Sequence, residues 1–381
     1  MKIAMIIEAW EPIWGGGQAH VFELSKKLIG DHDCKIDIYT MNLRNEKDQI
    51  QNHVEKFKNG DLRIIRSGKI RNFYSLKDRI FWIFEVIQEI KKNHKAENYD
   101  IIHAHANLPG IPGKILNKIL KIPIVYTVHG SNFLDVGGKN PYYYIEKFLM
   151  TQLKYDLEIS VTKKFLEYKN VNCPLIIPNG VAIEKFENIS KKSSSKKNPG
   201  IFRILFVGRL DKIKGVDILL RAISRLSDSI KKKIQLHLVG YGYDEKNLKG
   251  LAKKLNLDNI VFFKGKKFGQ ELLEEYAMAD LFILPSLSEG FPLTILEAWA
   301  MKVPVLATKV GEIPHLIKEG ENGFLSESGN IPNITDKLRL AISADNLKVM
   351  GIAGYNLVME KYTWKDVAEK TYEAYSKIHT K

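Results

Sequence analysis

Short apolar runs alternate along the chain with longer segments in which apolar residues recur every three or four positions. The short runs predict buried strands of parallel sheets, and the longer segments predict the amphipathic helices between them. The predicted strands span 2–7, 35–40, 62–65, 100–105, 123–128, 157–161, 175–177, 203–207, 234–239, 260–263, 281–285 and 303–308. The polar and charged stretch 42–60, between the second and third strands, predicts a loop with a short helix. This alternation predicts an α/β fold.

One polar stretch divides the pattern into two halves. Residues 188–200 read NISKKSSSKKNPG, and such a Ser- and Lys-rich segment ending in Pro-Gly is typical of a linker. At 381 residues the chain is longer than one hydrophobic core usually supports. We therefore expect one domain over 1–187 and a second over 201–363.

The composition is ordinary for a globular protein, with 45% hydrophobic and 27% charged residues. No apolar run is long enough to cross a bilayer. Because Glu8 and Glu11 follow the first apolar run, the N-terminus predicts a strand and no signal peptide. Cys34 and Cys173 form no close-spaced metal or redox pair. These features favour a cytoplasmic location.

The formal net charge of +14 favours anionic partners. Nucleic acid, an anionic membrane and phosphorylated substrates are the candidates, and a Lys-rich surface facing solvent explains the charge equally well. Nucleic acid is not expected as a partner, because the sequence contains no nucleic-acid-binding motif.

Candidate chemistry is concentrated after the predicted strand 281–285. The loop 286–292 follows this strand and precedes a predicted helix over 293–301. Such a loop lies at the carboxyl end of a strand and at a helix N-terminus, where ligands and phosphates bind. Glu289 and Glu297 bracket the helix start and would accept hydrogen bonds from hydroxyls. A nucleotide-sugar would supply both the phosphates and the hydroxyls. The alternative is that Glu289 and Glu297 simply face solvent on a βαβ unit.

Two further loops carry candidate residues. Gly208, Arg209 and Lys214 follow the strand 203–207, and two cations in one strand-to-helix loop suit a diphosphate, unless the loop is simply solvated. In the first half, a run of three glycines that ends in Gly16 and Gly17 follows the first strand. A dinucleotide fold also begins in this way, but the spacing is not G-x-G-x-x-G.

The Glu289–Glu297 spacing, with Gly290, Phe291 and Pro292 after the first Glu, resembles that of the retaining GT-B glycosyltransferases of family four, the glycosyl transferases group 1. Gly208-Arg209-Leu followed by Lys214-Gly resembles the diphosphate-binding pattern of that family, and Pro-Asn-Gly-Val at 178–181 matches another of its motifs. Two positions depart from it. Ala182 replaces the usual Asp, and His315 stands where a Glu is usual.

The resemblance implies two Rossmann-like domains that face each other across a cleft, with the donor on the second. It also implies that 364–381 is a terminal helix crossing back to the first domain. His129, which ends the strand 123–128, would lie near the transferred sugar, with His103 and His105 as supports. The implied catalytic residues are His129, Glu289, Arg209 and Lys214. The implied donor-binding residues are Gly16, Gly17, Gly208, Gly265, Lys266, Gly290, Phe291, Pro292, Leu293, Thr294 and Glu297.

The expected activity is retaining transfer of a hexose from a UDP- or GDP-sugar to a saccharide, lipid-linked or small-molecule acceptor. The nucleotide-sugar is a substrate, and no cofactor is expected. No Asp-x-Asp signature ends a predicted strand, so we also expect activity without a metal. A sugar-nucleotide epimerase of the same fold is the alternative enzyme. A basic membrane- or nucleic-acid-binding protein with an inactive site is the non-enzyme alternative, against which Glu289, Arg209 and Lys214 argue.

The segment 69–95 suggests a peripheral contact with the anionic inner face of the cell membrane. It combines a predicted helix over 75–92, rich in Phe, Trp, Ile and Leu, with flanking Lys and Arg residues. Phe81 and Trp82 could insert into a bilayer. A helix of this kind more often packs on its own sheet, and we favour that interpretation.

Overall fold

A computed structural model describes residues 1–43, 53–57, 59–129, 141–163, 174–187 and 200–379. By their contacts these residues form two compact units, one of Met1–Asn179 with Trp364–Lys381 and one of Gly180–Thr363. The predicted linker 188–200, except for Gly200, lies outside the described residues. Residues 180–187, which the sequence assigned to the first domain, group with the second unit.

The described residues contain fourteen named strands and fourteen α-helices. The strands are β1 Lys2–Ile7, β2 Lys35–Met41, β3 His53–Phe57, β4 Gly60–Ser67, β5 Ile101–His105, β6 Ile124–Val128, β7 Leu157–Ser160, β8 Leu175–Ile176, β9 Phe202–Val207, β10 Ile234–Val239, β11 Val261–Gly265, β12 Leu281–Leu284, β13 Val305–Thr308 and β14 Gly323–Ser326. The helices are α1 Gly16–His32, α2 Leu76–Glu97, α3 Asn107–Leu120, α4 Pro141–Gln152, α5 Glu184–Glu187, α6 Val216–Ser224, α7 Asp228–Lys231, α8 Glu245–Lys254, α9 Gly269–Met278, α10 Leu293–Ala300, α11 Ile313–Leu316, α12 Ile331–Ser343, α13 Leu347–Lys361 and α14 Trp364–His379.

The first unit is built on a sheet with the strand order β3-β4-β2-β1-β5-β6-β7-β8. Its strands pair in parallel except β3, which is antiparallel to β4. β1 lies between β2 and β5, and the chain therefore changes direction across the sheet at this strand. In open α/β sheets, such a switch point at the carboxyl ends of the strands is where ligands bind.

One sequence expectation in this unit is wrong. The polar stretch 42–60 suggested a loop with a short helix, but 53–57 forms the edge strand β3. Pairing with β4 imposes this conformation, from His53 opposite Ile64 to Phe57 opposite Gly60. Its sequence, HVEKF, is too polar for the apolar-run criterion to detect. Tertiary pairing therefore decides the structure here.

Helix α2 packs on its own sheet, as the sequence analysis favoured. It begins after Ser75, whose hydroxyl accepts a hydrogen bond from the Asp78 backbone N–H and so caps the first turn. The face turned to the core is apolar and contains Trp82, Ile83, Val86, Ile87 and Ile90. Trp82 is completely buried, so the suggestion that it could insert into a bilayer is wrong.

The second unit contains a parallel sheet in the order β11-β10-β9-β12-β13-β14. Counted within the unit this order is 3-2-1-4-5-6, the arrangement of the Rossmann fold, and it reverses between β9 and β12. Both strands consist almost entirely of buried apolar residues, since helices cover both faces of a doubly wound sheet. The loops that follow β9 and β12 are therefore the expected ligand-binding loops.

None of the helices in the described part of the chain is long and apolar enough to span a membrane.

Replacement of the buried Trp82 by Ala should lower the free energy of unfolding by about 3–5 kcal/mol, since it leaves a large cavity under α2. Phe84 lies on the opposite side of the same helix and is 64% exposed, so Phe84→Ala should cost about 0.5 kcal/mol. Urea denaturation followed by circular dichroism measures both values. Equal destabilisation by the two substitutions would contradict this orientation of α2.

Candidate functional site

The loops after β9 and β12 touch through their backbones at the switch point of the second sheet. The Leu287 N–H donates to the Ile213 carbonyl oxygen at 2.7 Å. Gly215 ends a 3-10 turn over Lys212–Lys214 with a φ of +63°. A Cβ at this position would lie 2.1 Å from the Pro285 carbonyl oxygen. Only glycine therefore allows this approach of the two loops.

The contact between the loops places Lys214 against Glu289. Lys214 Nζ lies 2.6 Å from Glu289 Oε1, and the two side chains are 18% and 9% exposed. The Ser286 hydroxyl donates to the same carboxylate oxygen at 2.6 Å. Lys214 and Glu289, which were predicted from separate motifs, thus form one ion pair. The contacts from Lys214 and from Ser286 both fall on Oε1 of Glu289.

Arg209 lies in the same loop as Lys214 but is more exposed. Its side chain is 67% exposed, and Nη2 lies 3.0 Å from Oδ2 of the buried Asp211. The other oxygen of Asp211, Oδ1, is buried without a hydrogen-bond partner in the described residues. Asp211 thus anchors the guanidinium group by one oxygen and leaves most of it accessible. Gly208, just before Arg209, donates its backbone N–H to the Val239 carbonyl oxygen at 3.0 Å.

A third loop, which follows β13, packs against the backbone of Glu289 and Gly290. Gly311 has a φ of +55°, and a Cβ there would lie 1.9 Å from the Glu289 carbonyl oxygen. The next residue, Glu312, donates its backbone N–H to the Gly290 carbonyl oxygen at 3.1 Å. His315, the position that departs from the family pattern, lies exposed on the short helix α11.

Helix α10 begins at Leu293, directly after this supported loop. Phe291 and Pro292 are buried, whereas Leu293 and Thr294 are partly exposed. Pro292 is the N-cap residue and makes no side-chain capping bond. The N–H groups of Leu293 and Thr294 precede the first intrahelical bonds, and together with the helix dipole they favour a bound anion.

Glu297 lies on the second turn of α10, where Tyr276 holds its carboxylate. The Tyr276 hydroxyl donates to Glu297 Oε2 at 2.7 Å. Tyr276 is fully buried, and this burial raises the pKa of its phenol well above the usual value. The phenol therefore remains a hydrogen-bond donor across the physiological pH range. The sequence analysis did not identify Tyr276 as a site residue.

Gly265 and Lys266 lie farther along the sheet, at the end of the edge strand β11. Gly265 adopts a φ of +67°. Lys266 Nζ lies 4.9 Å from the ring centroid of Tyr241 and 4.5 Å from that of Phe268. Both rings are about half exposed. Since β10 separates β11 from β9, this aromatic group lies apart from the Lys214–Glu289 pair.

In the first unit, the predicted glycine loop and His129 come together. Helix α1 begins at Gly16, and a Cβ at Gly17 would lie 3.9 Å from His129 Cδ2. His129 follows β6 and is partly exposed, and its Nε2 lies 3.1 Å from Nδ1 of the buried His105. The switch point of the first sheet therefore brings together three residues that are far apart in sequence.

The sequence analysis missed His20, which lies on α1 against the same group. The His20 and His129 ring centroids are 4.6 Å apart in an edge-on arrangement. His20 Nδ1 lies 2.6 Å from Asn179 Oδ1. His20 stands one turn after Gly16, on the buried face of α1. This helical spacing could have indicated from the sequence that His20 lies near the glycine loop.

Burial keeps these histidines neutral near pH 7. It lowers the pKa of His20 to about 4, and it holds the pKa values of His103, His105 and His129 well below the usual value. His103 differs in its bonding, because both ring nitrogens have partners. Nδ1 lies 2.5 Å from the Tyr375 hydroxyl, and Nε2 lies 2.7 Å from Thr127 Oγ1. His103 therefore ties α14 to β5.

Comparison with known protein families agrees with this geometry. The family model described as Glycosyltransferase Family 4 matches residues 14–185. The model described as Glycosyl transferases group 1 matches residues 185–355 and so includes the Lys214–Glu289 pair.

The chain belongs to the group 1 glycosyltransferases.

Among its relatives is the D-inositol 3-phosphate glycosyltransferase of Corynebacterium jeikeium, which is 28% identical over 74% of this chain and 73% of that protein. Solved structures of the same fold include a sucrose-phosphate synthase from Thermosynechococcus elongatus. It matches with a TM-score of 0.86 and 20% identity over 100% of this chain and 99% of that chain. The Anabaena protein HepE in complex with UDP-glucose matches with a TM-score of 0.78 and 19% identity, over 99% of this chain and 100% of that chain. The predicted GT-B fold class, with two Rossmann-like domains, is confirmed.

Proposed function

We propose that this group 1 glycosyltransferase transfers a hexose with retention from a UDP- or GDP-sugar to a saccharide, lipid-linked or small-molecule acceptor. The observation that carries the proposal is the 2.6 Å contact between Lys214 and Glu289, at the carboxyl ends of adjacent parallel strands. It joins a cation suited to phosphate and a carboxylate suited to sugar hydroxyls in one place. The UDP-glucose bound to the structural neighbour HepE supports a UDP-linked donor.

Charge stabilisation on the leaving diphosphate is the first role of the loops. Breaking the sugar–phosphate bond leaves negative charge on the diphosphate oxygens. Arg209 and Lys214, with the first-turn N–H groups of Leu293 and Thr294, would stabilise that charge by preorganised hydrogen bonds. Gly208 would allow the backbone to approach the diphosphate closely. These groups fulfil the role that a divalent metal has in many sugar transferases, so the proposed reaction needs no metal.

Recognition of hydroxyl groups is the second role. Lys214 and Ser286 both contact Oε1 of Glu289, and Oε2 is thus directed to a donor sugar hydroxyl in the proposed complex. Glu297, oriented by Tyr276, would accept hydrogen bonds from the ribose. Gly290, Phe291 and Pro292 would shape the sugar pocket between the two carboxylates, and Gly265 and Lys266 would lie beside the base.

His129 is the proposed residue nearest the reacting carbon. Its imidazole is neutral and partly exposed, so it can accept or donate a hydrogen bond at a sugar hydroxyl. A sugar-nucleotide epimerase of the same fold is the alternative for this arrangement. The two activities differ in their products, because the epimerase releases a free monosaccharide without an acceptor. Chromatography of the products formed with and without candidate acceptors separates them.

Arg209→Ala or Lys214→Ala should each reduce kcat by about 10²-fold or more, the scale expected for loss of one preorganised charge partner. Release of nucleoside diphosphate from the donor measures the rate. Lys212→Ala is the matched control, since Lys212 is exposed in the same loop and should leave the rate nearly unchanged. Wild-type turnover in both the Arg209 and the Lys214 variants would remove the proposed diphosphate site.

Turnover should be undiminished in EDTA, because cationic side chains and helix N–H groups provide the charge stabilisation. The measurement compares initial rates with and without chelator on the same preparation. Loss of the rate in EDTA, with recovery on addition of magnesium or manganese, would show that a metal is required.

We also propose that the first unit contacts an anionic bilayer, which would bring the enzyme to a lipid-linked acceptor. Although α2 packs on its sheet, Ile80, Phe81 and Phe84 remain 46%, 53% and 64% exposed. Helix α3 packs against both α2 and α4. It exposes Ile115 and Ile119.

Exposed lysines accompany this apolar surface. They are Lys77, Lys92 and Lys95 on α2, Lys118 on α3 and Lys121 just beyond it. Apolar side chains flanked by lysines fit the headgroup boundary of an anionic membrane, where each cation contributes about 1 kcal/mol. The flanking arginines contribute less than the sequence suggested, since Arg71 pairs with Glu85 and Arg79 with Glu8 inside the fold.

Phe81→Ser combined with Phe84→Ser should weaken binding to anionic vesicles by about 10-fold or more, because both exposed rings would leave the bilayer boundary. Co-sedimentation with phosphatidylglycerol-containing liposomes at low and physiological salt measures this. Leu340→Ser, an equally exposed apolar position in the second unit, is the control. Absence of wild-type binding at low salt would contradict the membrane contact and favour an acceptor in solution.

A further inference from the structure

The histidines at the switch point of the first sheet offer a metal site that the transfer reaction does not use. One ring nitrogen of each of His20, His105 and His129 lies within 4.8 Å of the others. Among the described residues, these three histidines are close enough together to share a cation. Two are buried and the third, His129, is partly exposed. The group is therefore mostly buried, and solvent reaches it at His129.

One of the nitrogen–nitrogen distances is close to that of tetrahedral coordination. Zinc binds imidazole nitrogens at about 2.0–2.1 Å, so two ligands of a tetrahedral ion lie about 3.3 Å apart. His105 Nδ1 and His129 Nε2 already lie 3.1 Å apart, in a hydrogen bond in which one of the two nitrogens carries the proton. Both nitrogens can bind the ion once that proton has moved to the other nitrogen of its own ring. His20 lies against His129 with its ring edge-on, and one of its nitrogens lies within 4.8 Å of the other two ligand atoms. Coordination of all three requires the rings to move closer together.

The surrounding hydrogen bonds distinguish these three imidazoles from that of the neighbouring His103. Asn179 Oδ1 is an acceptor, so Nδ1 of His20 carries the proton and Nε2 keeps its lone pair. Metal-binding histidines are usually oriented by a hydrogen bond of this kind. The buried Nε2 of His105 has no hydrogen-bond partner among the described residues. His103 uses both of its nitrogens within the fold and is therefore excluded as a ligand.

We propose that His20, His105 and His129 form a three-histidine site for Zn²⁺, with its fourth position open to solvent. A set of neutral imidazoles favours Zn²⁺ over Mg²⁺ or Ca²⁺, since these harder cations take oxygen ligands. The transfer reaction does not need this ion. Its effect follows from the proposed function, which places His129 beside the transferred sugar: bound Zn²⁺ occupies that imidazole and inhibits transfer.

The experiment uses the full chain without a histidine tag, stripped with EDTA and exchanged into chelator-free buffer. Isothermal titration with Zn²⁺ gives stoichiometry and affinity, and the visible absorption of bound Co²⁺ reports coordination by nitrogen. His129→Ala and His20→Gln remove one ligand each, and His315→Gln, an exposed histidine of the second unit, is the control. Circular dichroism of the metal-free variants verifies that they fold.

We expect one Zn²⁺ per wild-type chain and at least about 10-fold weaker binding in both ligand variants, with His315→Gln unchanged. No Zn²⁺ binding by the wild-type chain, or wild-type affinity in both folded ligand variants, would overturn the site. Inhibition of wild-type transfer over the same Zn²⁺ concentrations supports the inhibitory role. Binding without inhibition would retain the metal site and contradict the placement of His129 beside the sugar, so the two failures are distinguishable.

Discussion

The close backbone approach of two loops in the second unit is the constraint on which its site depends. Gly215 lies so near the Pro285 carbonyl oxygen that no side chain fits between them. This approach brings Lys214 and Glu289 within 2.6 Å, although they are 75 positions apart in the sequence. A partly buried ion pair is costly to desolvate, and such pairs are weak contributors to stability. The pair instead lies at the switch point of a parallel sheet, where open α/β sheets bind ligands.

The first unit follows the same rule with different chemistry. Its sheet also changes direction at the first strand, and the residues gathered there are Gly17, His20, His105 and His129. Neutral imidazoles in a buried setting act as hydrogen-bonding groups rather than as charges. The Lys214–Glu289 ion pair thus lies at the switch point of the second sheet, and a group of neutral imidazoles lies at that of the first.

Much of the fold could be predicted from the sequence because buried parallel strands are short apolar runs. Residues 2–7 and 234–239 form strands with the predicted bounds. The edge strand β3 was missed, because its side chains are polar and only pairing with β4 makes it a strand. Loop positions such as Glu289 and Lys214 could be found from their motifs, but their mutual contact could not, since it depends on how the two loops pack. His20 and Tyr276 were not identified from the sequence, because each contacts a site residue that is distant in sequence.

The central claim is that the loops around Lys214 and Glu289 bind a nucleoside diphosphate-sugar. Thermal unfolding of the wild-type chain and of Lys214→Ala, with UDP, GDP, ADP and their hexose derivatives, tests it most directly. A specific ligand at about 100 times its Kd stabilises the folded chain by about 2.7 kcal/mol. The account predicts that one nucleotide and its sugar raise the wild-type Tm, that Lys214→Ala loses most of the shift, and that inorganic pyrophosphate does not reproduce it. No shift with any nucleotide, or equal shifts in wild type and Lys214→Ala, would contradict the claim.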